Sequence, residues 1–398
     1  MIKFAHLADC HLGGWKIPEM NALNSKTFEL AIDMCIKQKV DFVLIAGDFF
    51  DTAMPSIEIL KLAASKLREL KDHAIPCYLI PGSHDYSASG KTFLDVLHNA
   101  GLCLNVGSKE DLELYNEEKA VIAGIAGLKT QRDQEVIRQI KTPSLEDYGD
   151  KLKVIMLHTT IDENSPNELV ESLDTDDMPA GFDYYAMGHI HQPFNQKING
   201  KMIVFPGPLF PNNFAEMEEL GNGGFVIATY DNGKVSVERQ EIKLKDIISV
   251  EVDVSNQSPE MATSLILGAL KKENLSDKII LLRVYGILSH GKTSDVDFNL
   301  ISQEAEKRER YALLKNTAKL ESPELQIKVR VKSENIEDIE KEVVSEQTAN
   351  SVDREFSNIF MDLIKCLDVE RYEGETATNF QKRVLEGVYN TIDLEEDR

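Results

Sequence analysis

The sequence predicts an α/β domain over residues 1–245, a smaller α+β domain over residues 246–333 and a helical C-terminal segment. Short apolar, β-branched runs alternate with segments of helical spacing as far as residue 245, a pattern typical of α/β domains. After Asp246 this rhythm changes, and two amphipathic stretches close the chain. A length of 398 residues also exceeds what a single hydrophobic core usually organises, which supports the division.

The first domain is predicted to contain short buried strands with amphipathic helices between them. Apolar residues three and four positions apart form one stripe along Ser56–Lys71, and a shorter helix is predicted over Lys91–Asn99. The strands are predicted at Ile2–Ala8, Val40–Ala46, Cys77–Pro81, Lys153–His158, Tyr184–Met187, Met202–Phe205 and Phe225–Thr229.

The part of the chain after residue 245 is predicted to alternate strands and helices. Strand-like runs cover Ile248–Val254, Lys278–Tyr285 and Leu325–Lys332, and helices are predicted over Pro259–Glu273 and Asn299–Leu320. The acidic stretch from Glu334 to Glu346 lies within positions 334–350, which we interpret as a linker. Amphipathic helices after such a linker favour binding in a partner's groove. In residues 351–398 the candidate partner-binding side chains are Phe356, Phe360, Leu363, Phe380 and Val384.

The formal net charge of −23 restricts how this chain could bind nucleic acid. A protein that binds DNA through its whole surface carries a basic excess, so any contact here has to be local. One local reversal of charge lies within Ile301–Lys332. A DNA-facing surface and an ordinary solvated helix face are about equally good interpretations of it. Its candidate DNA-binding residues are Lys307, Arg308, Arg310 and Lys315.

The chain shows no sign of membrane insertion or export. No apolar run reaches the length of a transmembrane helix, and the segment from Met1 to Leu12 lacks the pattern of a signal peptide. The five cysteines are scattered and form no CxxC pair. This usage is typical of a reducing compartment, so we expect a cytoplasmic protein.

Polar signatures follow five of the predicted strands of the first domain. Because the carboxyl ends of strands in an open α/β sheet share one edge, these segments are expected to converge in space. Residues two apart in an extended segment point the same way, so each such pair can aim two side chains at one place. The signatures are Asp9-Cys10-His11, Gly47-Asp48, Gly82-Ser83-His84-Asp85, His158 and Gly188-His189-Ile190-His191.

Carboxylates and imidazoles without thiolates suit manganese, iron or zinc. Two such ions about 3.5 to 4 Å apart can share one carboxylate, activate a water and clamp a phosphoryl centre. Asp48 is the candidate bridge, His84 is a candidate to stabilise or protonate the reacting phosphate, and Asp85 is a candidate to orient His84. The predicted metal ligands are Asp9, His11, Asp48, His158, His189 and His191.

These signatures resemble those of the calcineurin-like metallophosphoesterases, D-x-H, GD, GNHD, H and GHxH. Within that family, the segments Phe4–Gly13, Gly47–Asp51 and Gly188–His191 are similar to double-strand-break repair nucleases of the Mre-eleven/SbcD type, in their prokaryotic, archaeal-like form. The motif resemblance covers roughly residues 1–215. It implies a β-sandwich flanked by helices, a small capping domain and a C-terminal helical segment that docks on a Rad-fifty/SbcC-type ATPase.

The resemblance also implies roles for residues. Asp9, His11 and His191 would hold the first manganese ion, His158 and His189 the second, and Asp48 would bridge them. Helices Ser56–Lys71 and Lys91–Asn99 would form a homodimer interface. The implied activities are manganese-dependent 3′ to 5′ exonuclease and single-strand endonuclease, which process DNA ends in double-strand break repair.

Two segments depart from the family pattern. The GNHD asparagine, a ligand of the second ion, is Ser83 here, and a shorter hydroxyl predicts a weaker second site. The stretch Pro206–Pro211 also differs from the usual G-S-x-x-x-x-S-F, which leaves substrate contacts there open.

Two other functions remain compatible with the sequence. A phosphodiesterase or phosphatase for small or protein substrates is favoured by the acidic charge. A largely non-catalytic adaptor that holds an ATPase and DNA together is favoured by Ser83 and the apolar C-terminal helix faces.

Overall fold

The computed structural model describes residues 1–86, 92–108, 111–127, 133–164, 172–323 and 377–391. The helices are α1 (Pro18–Gln38), α2 (Ile57–Asp72), α3 (Leu94–Asn99), α4 (Asp133–Gln139), α5 (Phe214–Leu220), α6 (Pro259–Lys271), α7 (Phe298–Lys307) and α8 (Ala377–Thr391). The strands are β1 (Ile2–Leu7), β2 (Phe42–Ala46), β3 (Cys77–Ile80), β4 (Leu104–Asn105), β5 (Gly107–Ser108), β6 (Tyr115–Asn116), β7 (Ala120–Ile125), β8 (Leu152–His158), β9 (Tyr184–Gly188), β10 (Phe194–Ile198), β11 (Lys201–Phe205), β12 (Gly224–Asp231), β13 (Lys234–Glu241), β14 (Ile247–Asp253), β15 (Ile279–Ile287) and β16 (Ala312–Glu321).

The first 245 residues build two sheets that pack face to face with helices outside. One sheet has the order β13-β12-β1-β2-β3-β4, and the other has the order β10-β11-β9-β8-β7-β5, with β6 paired to β7. Strands β1, β2 and β3 are parallel, as are β7, β8 and β9. The α/β fold class predicted from the sequence is confirmed.

Strand β2 shows why the sequences of the central strands are unbroken apolar runs. Leu44 packs in the core between the two sheets. Val43 and Ile45 point the other way and pack beneath α1 and α2, with Phe28 and Leu67. A strand covered on both faces carries no polar alternation, so these strands were recognisable by length and β-branched composition.

A three-stranded parallel sheet, β14-β15-β16, forms the small domain. Alternate residues of β15 face opposite sides: Ile280 and Leu282 pack against α6 and α7. Ile279 and Leu281 pack instead against Met20, in a boundary cluster shared with the first domain. The members of this boundary cluster are Met20, Leu23, Phe210, Met217, Ile279, Leu281, Ala312 and Leu314, with six partly buried neighbours.

The predicted helix over Asn299–Leu320 is wrong in its second half. Helix α7 ends at Lys307, and Ala312–Glu321 is strand β16. The residues of this segment favour a helix. However, Leu313 and Leu314 are buried on opposite faces of the sheet, and the segment is paired with β15 as a strand. Tertiary packing therefore overrides local propensity here.

Other C-terminal predictions are only partly covered. The predicted strand Leu325–Lys332, the acidic linker and the side chains of Phe356, Phe360 and Leu363 lie outside the described residues. Phe380 and Val384 lie on α8 and are half-buried. Among the described helices, none combines the length and apolarity that crossing a lipid bilayer requires.

His6 on β1 lies buried between the sheets, with its Nδ1 3.0 Å from the hydroxyl of Tyr184. Burial lowers the pKa of His6 from 6.5 to about 3, although a backbone hydrogen bond at Met187 acts in the opposite direction. The imidazole is therefore neutral in the folded protein and takes up a proton on unfolding below pH 6.5. The contribution of His6 to the free energy of unfolding is fully present above pH 6.5 and is lost as the pH falls towards 3.

We predict that replacing His6 with Gln flattens the loss of stability between pH 7 and pH 5. The wild type should lose about 2 kcal/mol more than the variant over this range, which is 1.5 pH units at 1.36 kcal/mol each. Urea denaturation of the metal-free protein at both pH values measures the difference. The exposed His73, replaced with Gln, is the control, and equal slopes for wild type and His6→Gln would contradict the prediction.

Candidate metal centre

The predicted ligands lie on loops at the carboxyl ends of strands in both sheets. Asp9 and Asp48 follow β1 and β2, two residues after each strand ends. The backbone N–H of Asp9 donates to the carbonyl of Gly47 at 3.1 Å, and that of His11 donates to the carbonyl of Asp48 at 3.0 Å. These bonds hold the two loops side by side. His158 is the last residue of β8, and His189 follows β9. Both of these strands belong to the other sheet.

Four of the predicted ligands have left-handed backbone conformations. Their φ angles are +49° at Asp9, +41° at His11, +46° at Asp48 and +90° at His189. Such angles cost free energy in residues with a side chain and cluster where a site demands a particular geometry. The hydrogen bonds between the loops, and those from the His189 N–H to the Asp9 carboxylate at 3.0 and 3.2 Å, hold these conformations in place.

Asp9, His11 and His191 form the first group of ligand atoms, all within 4.8 Å of one another. The Nε2 atoms of His11 and His191 lie 3.3 Å apart, and Nε2 of His191 lies 3.8 Å from Oδ1 of Asp9. Two imidazole nitrogens and a carboxylate oxygen that face one point in this way fit a divalent cation.

Asp48, His158 and His189 form the second group, again within 4.8 Å. Nδ1 of His158 lies 2.9 Å from the carbonyl oxygen of Ala46, an acceptor, which places the ring proton on Nδ1. Its Nε2 is buried without a hydrogen-bond partner and lies 3.3 Å from Oδ2 of Asp48. A buried imidazole nitrogen beside a carboxylate fits a metal ion, which would take the place of a proton between the two groups, so the residues present suit the group that the sequence predicts.

The electrostatics of the second group show the same preference for a cation. Burial by itself lowers the pKa of His158, but the Asp48 carboxylate outweighs it and raises that pKa to about 10. Burial likewise raises the pKa of Asp48, and His158 and His11 reverse this and hold it well below its usual range. The Asp48 carboxylate is therefore ionised, and a positive charge beside it is favourable.

Two carboxylates that the sequence analysis did not assign lie beside the imidazoles of the first group. Oδ1 of Asp51 lies 3.3 Å from Nδ1 of His11, and Oε1 of Glu216 lies 3.0 Å from Nδ1 of His191. A carboxylate behind a ligating imidazole fixes its orientation and raises its basicity. Asp51 belongs to the Gly47–Asp51 segment, and its position three residues after the predicted ligand Asp48 could have indicated that it lies near the metal site. Glu216 lies on α5, and nothing in its sequence context indicated its partner.

The segment after β3 brings three predicted site residues to the second group. The Ser83 hydroxyl donates to Oδ2 of Asp48 at 3.3 Å, and the His84 N–H donates to Oδ1 at 2.8 Å. The imidazole of His84 is exposed, and its Nδ1 lies 2.8 Å from the carbonyl oxygen of Asp51. This contact leaves Nε2 directed away from Asp51, available to a bound molecule.

Asp85 does not orient His84, so that part of the prediction is corrected. Its buried carboxylate accepts hydrogen bonds from the backbone N–H groups of Phe49, Phe50 and Gly82, at 3.2, 3.0 and 2.9 Å. Burial, and then the Asp48 charge, raise the pKa of Asp85 to about 6. Asp85 therefore ties the β2 loop to the β3 loop, and its nearness to His84 is a matter of sequence only.

The four candidate DNA-binding residues do not share one helix face. Lys307 ends α7 and pairs with Glu304, whereas Lys315 lies on β16. Arg308 donates to the backbone carbonyls of Leu270 and Glu273, at the end of α6. Arg310 donates to the carbonyl of Tyr311. The guanidinium groups of Arg308 and Arg310 thus form hydrogen bonds within the small domain itself.

Residues 2–193 match the family described as calcineurin-like phosphoesterase. The chain carries a calcineurin-like phosphoesterase domain. Every ligand of the two groups lies within the matched residues. The calcineurin-like domain predicted from the motifs is confirmed over the matched residues, and this domain is a metal-dependent hydrolase with a dinuclear site for divalent cations.

Curated relatives extend the similarity beyond the phosphoesterase domain. The DNA double-strand break repair protein Mre11 of Archaeoglobus fulgidus is 27% identical over 362 residues, which cover 84% of this chain and 78% of that protein. The protein of the same name from Methanocaldococcus jannaschii is 24% identical and covers 70% of this chain and 81% of its own length. The uncharacterized metallophosphoesterase YhaO of Bacillus subtilis is 26% identical and covers 60% of each chain.

Proposed function

We propose that this chain is a manganese-dependent DNA nuclease, a 3′ to 5′ exonuclease and single-strand endonuclease that processes DNA ends in double-strand break repair. The observation that carries the proposal is the arrangement of two ligand groups beside an exposed His84. The names of the archaeal relatives support DNA as the substrate. We place the protein in the cytoplasm, at DNA breaks on the nucleoid.

When bound, two divalent cations would supply an activated water and Lewis-acid stabilisation of a phosphodiester. The chain's own residues do the remaining work. Asp51 and Glu216 lie beside the Nδ1 atoms of His11 and His191, where they would orient the two imidazoles. His84 presents Nε2 to the substrate, where a protonated imidazole stabilises charge on the phosphate or gives its proton to the leaving oxygen.

Replacing His84 with Ala is expected to lower cleavage of single-stranded oligonucleotides by about 10² to 10⁴-fold, the usual contribution of general acid catalysis. Manganese affinity should fall much less than cleavage does: a ring nitrogen of His84 lies within 4.8 Å of ligand atoms of His11 and Asp48, but the hydrogen bond that fixes the Asp48 carboxylate comes from the main-chain N–H and survives the substitution. A 3′-labelled and a 5′-labelled strand, incubated with Mn²⁺ or with EDTA, report rate and polarity together. His73→Ala is the matched control, and unchanged cleavage by His84→Ala would refute this role.

The net charge of −23 supports an alternative, a phosphodiesterase or phosphatase for small or protein substrates. The same experiment separates the two functions. A nuclease cleaves the oligonucleotide, whereas the alternative predicts hydrolysis of bis(p-nitrophenyl) phosphate or of a phosphopeptide with no cleavage of DNA.

Ser83 determines how firmly the second ion is held. Its hydroxyl donates to the Asp48 carboxylate, and its oxygen is carried on a shorter side chain and is a weaker ligand than the amide oxygen of an asparagine. We predict that Ser83→Asn tightens the weaker of two manganese sites by about tenfold, the lower end of the range for groups that support a metal ligand. Isothermal titration calorimetry measures both sites. Two equally tight sites in the wild type would show that Ser83 does not weaken the second one.

We also propose partners for the C-terminal part and for the helices beside the site. Residues 351–398 would bind a Rad-fifty/SbcC-type ATPase, with Phe356, Phe360, Leu363, Phe380 and Val384 as the contact residues. Helices α2 and α3 would pair in a homodimer, which is supported by the exposed Ile57 and Val96, 72% and 52% accessible. The basic residues Lys307, Arg308, Arg310 and Lys315 remain candidates for local DNA contact. A largely non-catalytic adaptor with the same partners is the alternative if Ser83 leaves the second site empty.

A further inference from the structure

Helix α5 lies between the first ligand group and the small domain. Three successive residues of α5 face three different structures. Glu216 contacts the ligand His191. Met217 is buried in the boundary cluster between the two domains, and Glu218 pairs with Arg283 on β15 of the small domain.

Towards the site, Glu216 has several polar contacts that fix its carboxylate. Oε1 lies 3.0 Å from Nδ1 of His191, and Oε2 accepts from the N–H of Asn212 at 2.8 Å. The side chain of Asn213 begins the helix by accepting from the N–H of Glu216 at 3.0 Å. The orientation of the His191 ring therefore depends on where the first turn of α5 lies.

Towards the small domain, α5 is held by Arg283. Its guanidinium bonds both carboxylate oxygens of Glu218, with Nε 3.3 Å from Oε1, and lies 5.3 Å from the centre of the Phe214 ring. Met217 packs in the same cluster as Leu281 and Leu314 of the small domain. A planar guanidinium that contacts a carboxylate with two nitrogens restricts geometry more than a single point charge does.

Helix α5 has only seven residues, from Phe214 to Leu220. A helix this short has little stability of its own, because nucleation costs more than so few hydrogen bonds return. Its position must therefore come from what it packs against, and on one side that is the small domain. A shift of the small domain away from α5 would remove the contacts of Met217 and Glu218 and leave Glu216 held only by its own first turn, so the ring of His191 would be less firmly oriented.

We propose that Arg283 is a positioning residue for the first metal site, and that docking of the small domain sets the affinity of that site through α5. The inference rests on the two-metal centre of the proposed function and not on DNA as its substrate. Arg283 itself touches no predicted ligand. It acts through Glu218, the helix and Glu216, in that order.

The test is a manganese titration of the full chain, followed by calorimetry and by the electron paramagnetic resonance of bound Mn²⁺. The first site is identified as the one that His191→Ala removes. Arg283→Ala should weaken this site about fivefold, less than the roughly 10- to 100-fold expected when an orienting partner is removed directly. The second site, formed by Asp48, His158 and His189, should be unchanged.

Lys245→Ala is the matched control, because Lys245 also lies at the domain boundary. It pairs with Asp277 and lies 4.5 Å from the centre of the Tyr311 ring, and neither of these residues belongs to α5. It should leave both sites unchanged. Glu218→Gln should reproduce the effect of Arg283→Ala, and it serves as the second variant where the first is too unstable to titrate. The double variant Arg283→Glu with Glu218→Arg should restore the first site.

Wild-type affinity at the first site in both Arg283→Ala and Glu218→Gln would overturn the inference, as would equal weakening by Lys245→Ala, which would indicate general loosening of the boundary. A wild type that binds no manganese would instead refute the proposed function. The two failures are therefore distinguishable.

Discussion

The Asp48→Asn variant should lose metal-dependent hydrolysis by about 10³-fold or more, since the polarisation it disturbs is worth several kcal/mol of transition-state stabilisation. Asp48 belongs to the second ligand group and lies 3.9 Å from Nε2 of His11 in the first. Its Oδ1 accepts the N–H of His84, and its Oδ2 accepts the Ser83 hydroxyl. Asparagine keeps the size of the side chain and removes the charge that both ions would share.

The loss should appear in binding as well as in rate. Titration with Mn²⁺ is expected to show both sites weakened in Asp48→Asn, because a bridging ligand serves both ions. The exposed Asp33, replaced with Asn, is the control for removing one negative charge from the surface. If Asp48→Asn bound two ions with wild-type affinities, Asp48 could not be the bridge.

The second large effect is expected at Gly47, which precedes Asp48. A Cβ at this position would lie 2.1 Å from Nδ1 of His158, and the backbone φ of +85° is a conformation that L-residues rarely adopt. Neither the ring nor the backbone is free to move aside. Nδ1 of His158 is hydrogen-bonded to the carbonyl of Ala46, and the Gly47 carbonyl accepts a hydrogen bond from the N–H of Asp9. Gly47→Ala should therefore destabilise the fold by about 4 kcal/mol or more and displace His158 from the second group.

Gly200 offers a matched control for this prediction. It has the same φ of +85°, but a Cβ added there would meet no atom within 4 Å. Gly200→Ala should thus cost only the backbone term, about 1 to 2 kcal/mol, and leave metal binding intact. Urea denaturation and manganese titration of both variants separate strain from collision. Similar losses in the two variants would mean that the close approach to His158 is unimportant.

The predicted ligands could be found from the sequence because each follows an apolar run of strand length. Asp9, Asp48 and His158 stand where β1, β2 and β8 end, and the parallel strands bring these ends to one edge. The sequence did not reveal that the strands divide between two sheets. Periodicity describes one strand at a time, and pairing partners depend on packing across the whole domain.

The residues that support the ligands were harder to predict. Glu216 lies 3.0 Å from His191 and belongs to a helix that packs at the domain boundary, and no local pattern carries that information. Asp85 was given the wrong partner, since adjacency in sequence suggested His84, whereas the carboxylate turns inward to three backbone N–H groups. Strand β16 was missed for a similar reason, because its neighbours across the sheet outweigh its own composition.

The division of ligands between the two sheets has a mechanical consequence. In the first group Asp9 and His11 come from one sheet and His191 from the other; in the second, Asp48 comes from one sheet and His158 and His189 from the other. Each bound cation would therefore be a cross-link between the halves of the sandwich. The sheets could separate at this edge only after both ions had been released, so occupancy would protect the fold against local opening as well as prepare it for hydrolysis.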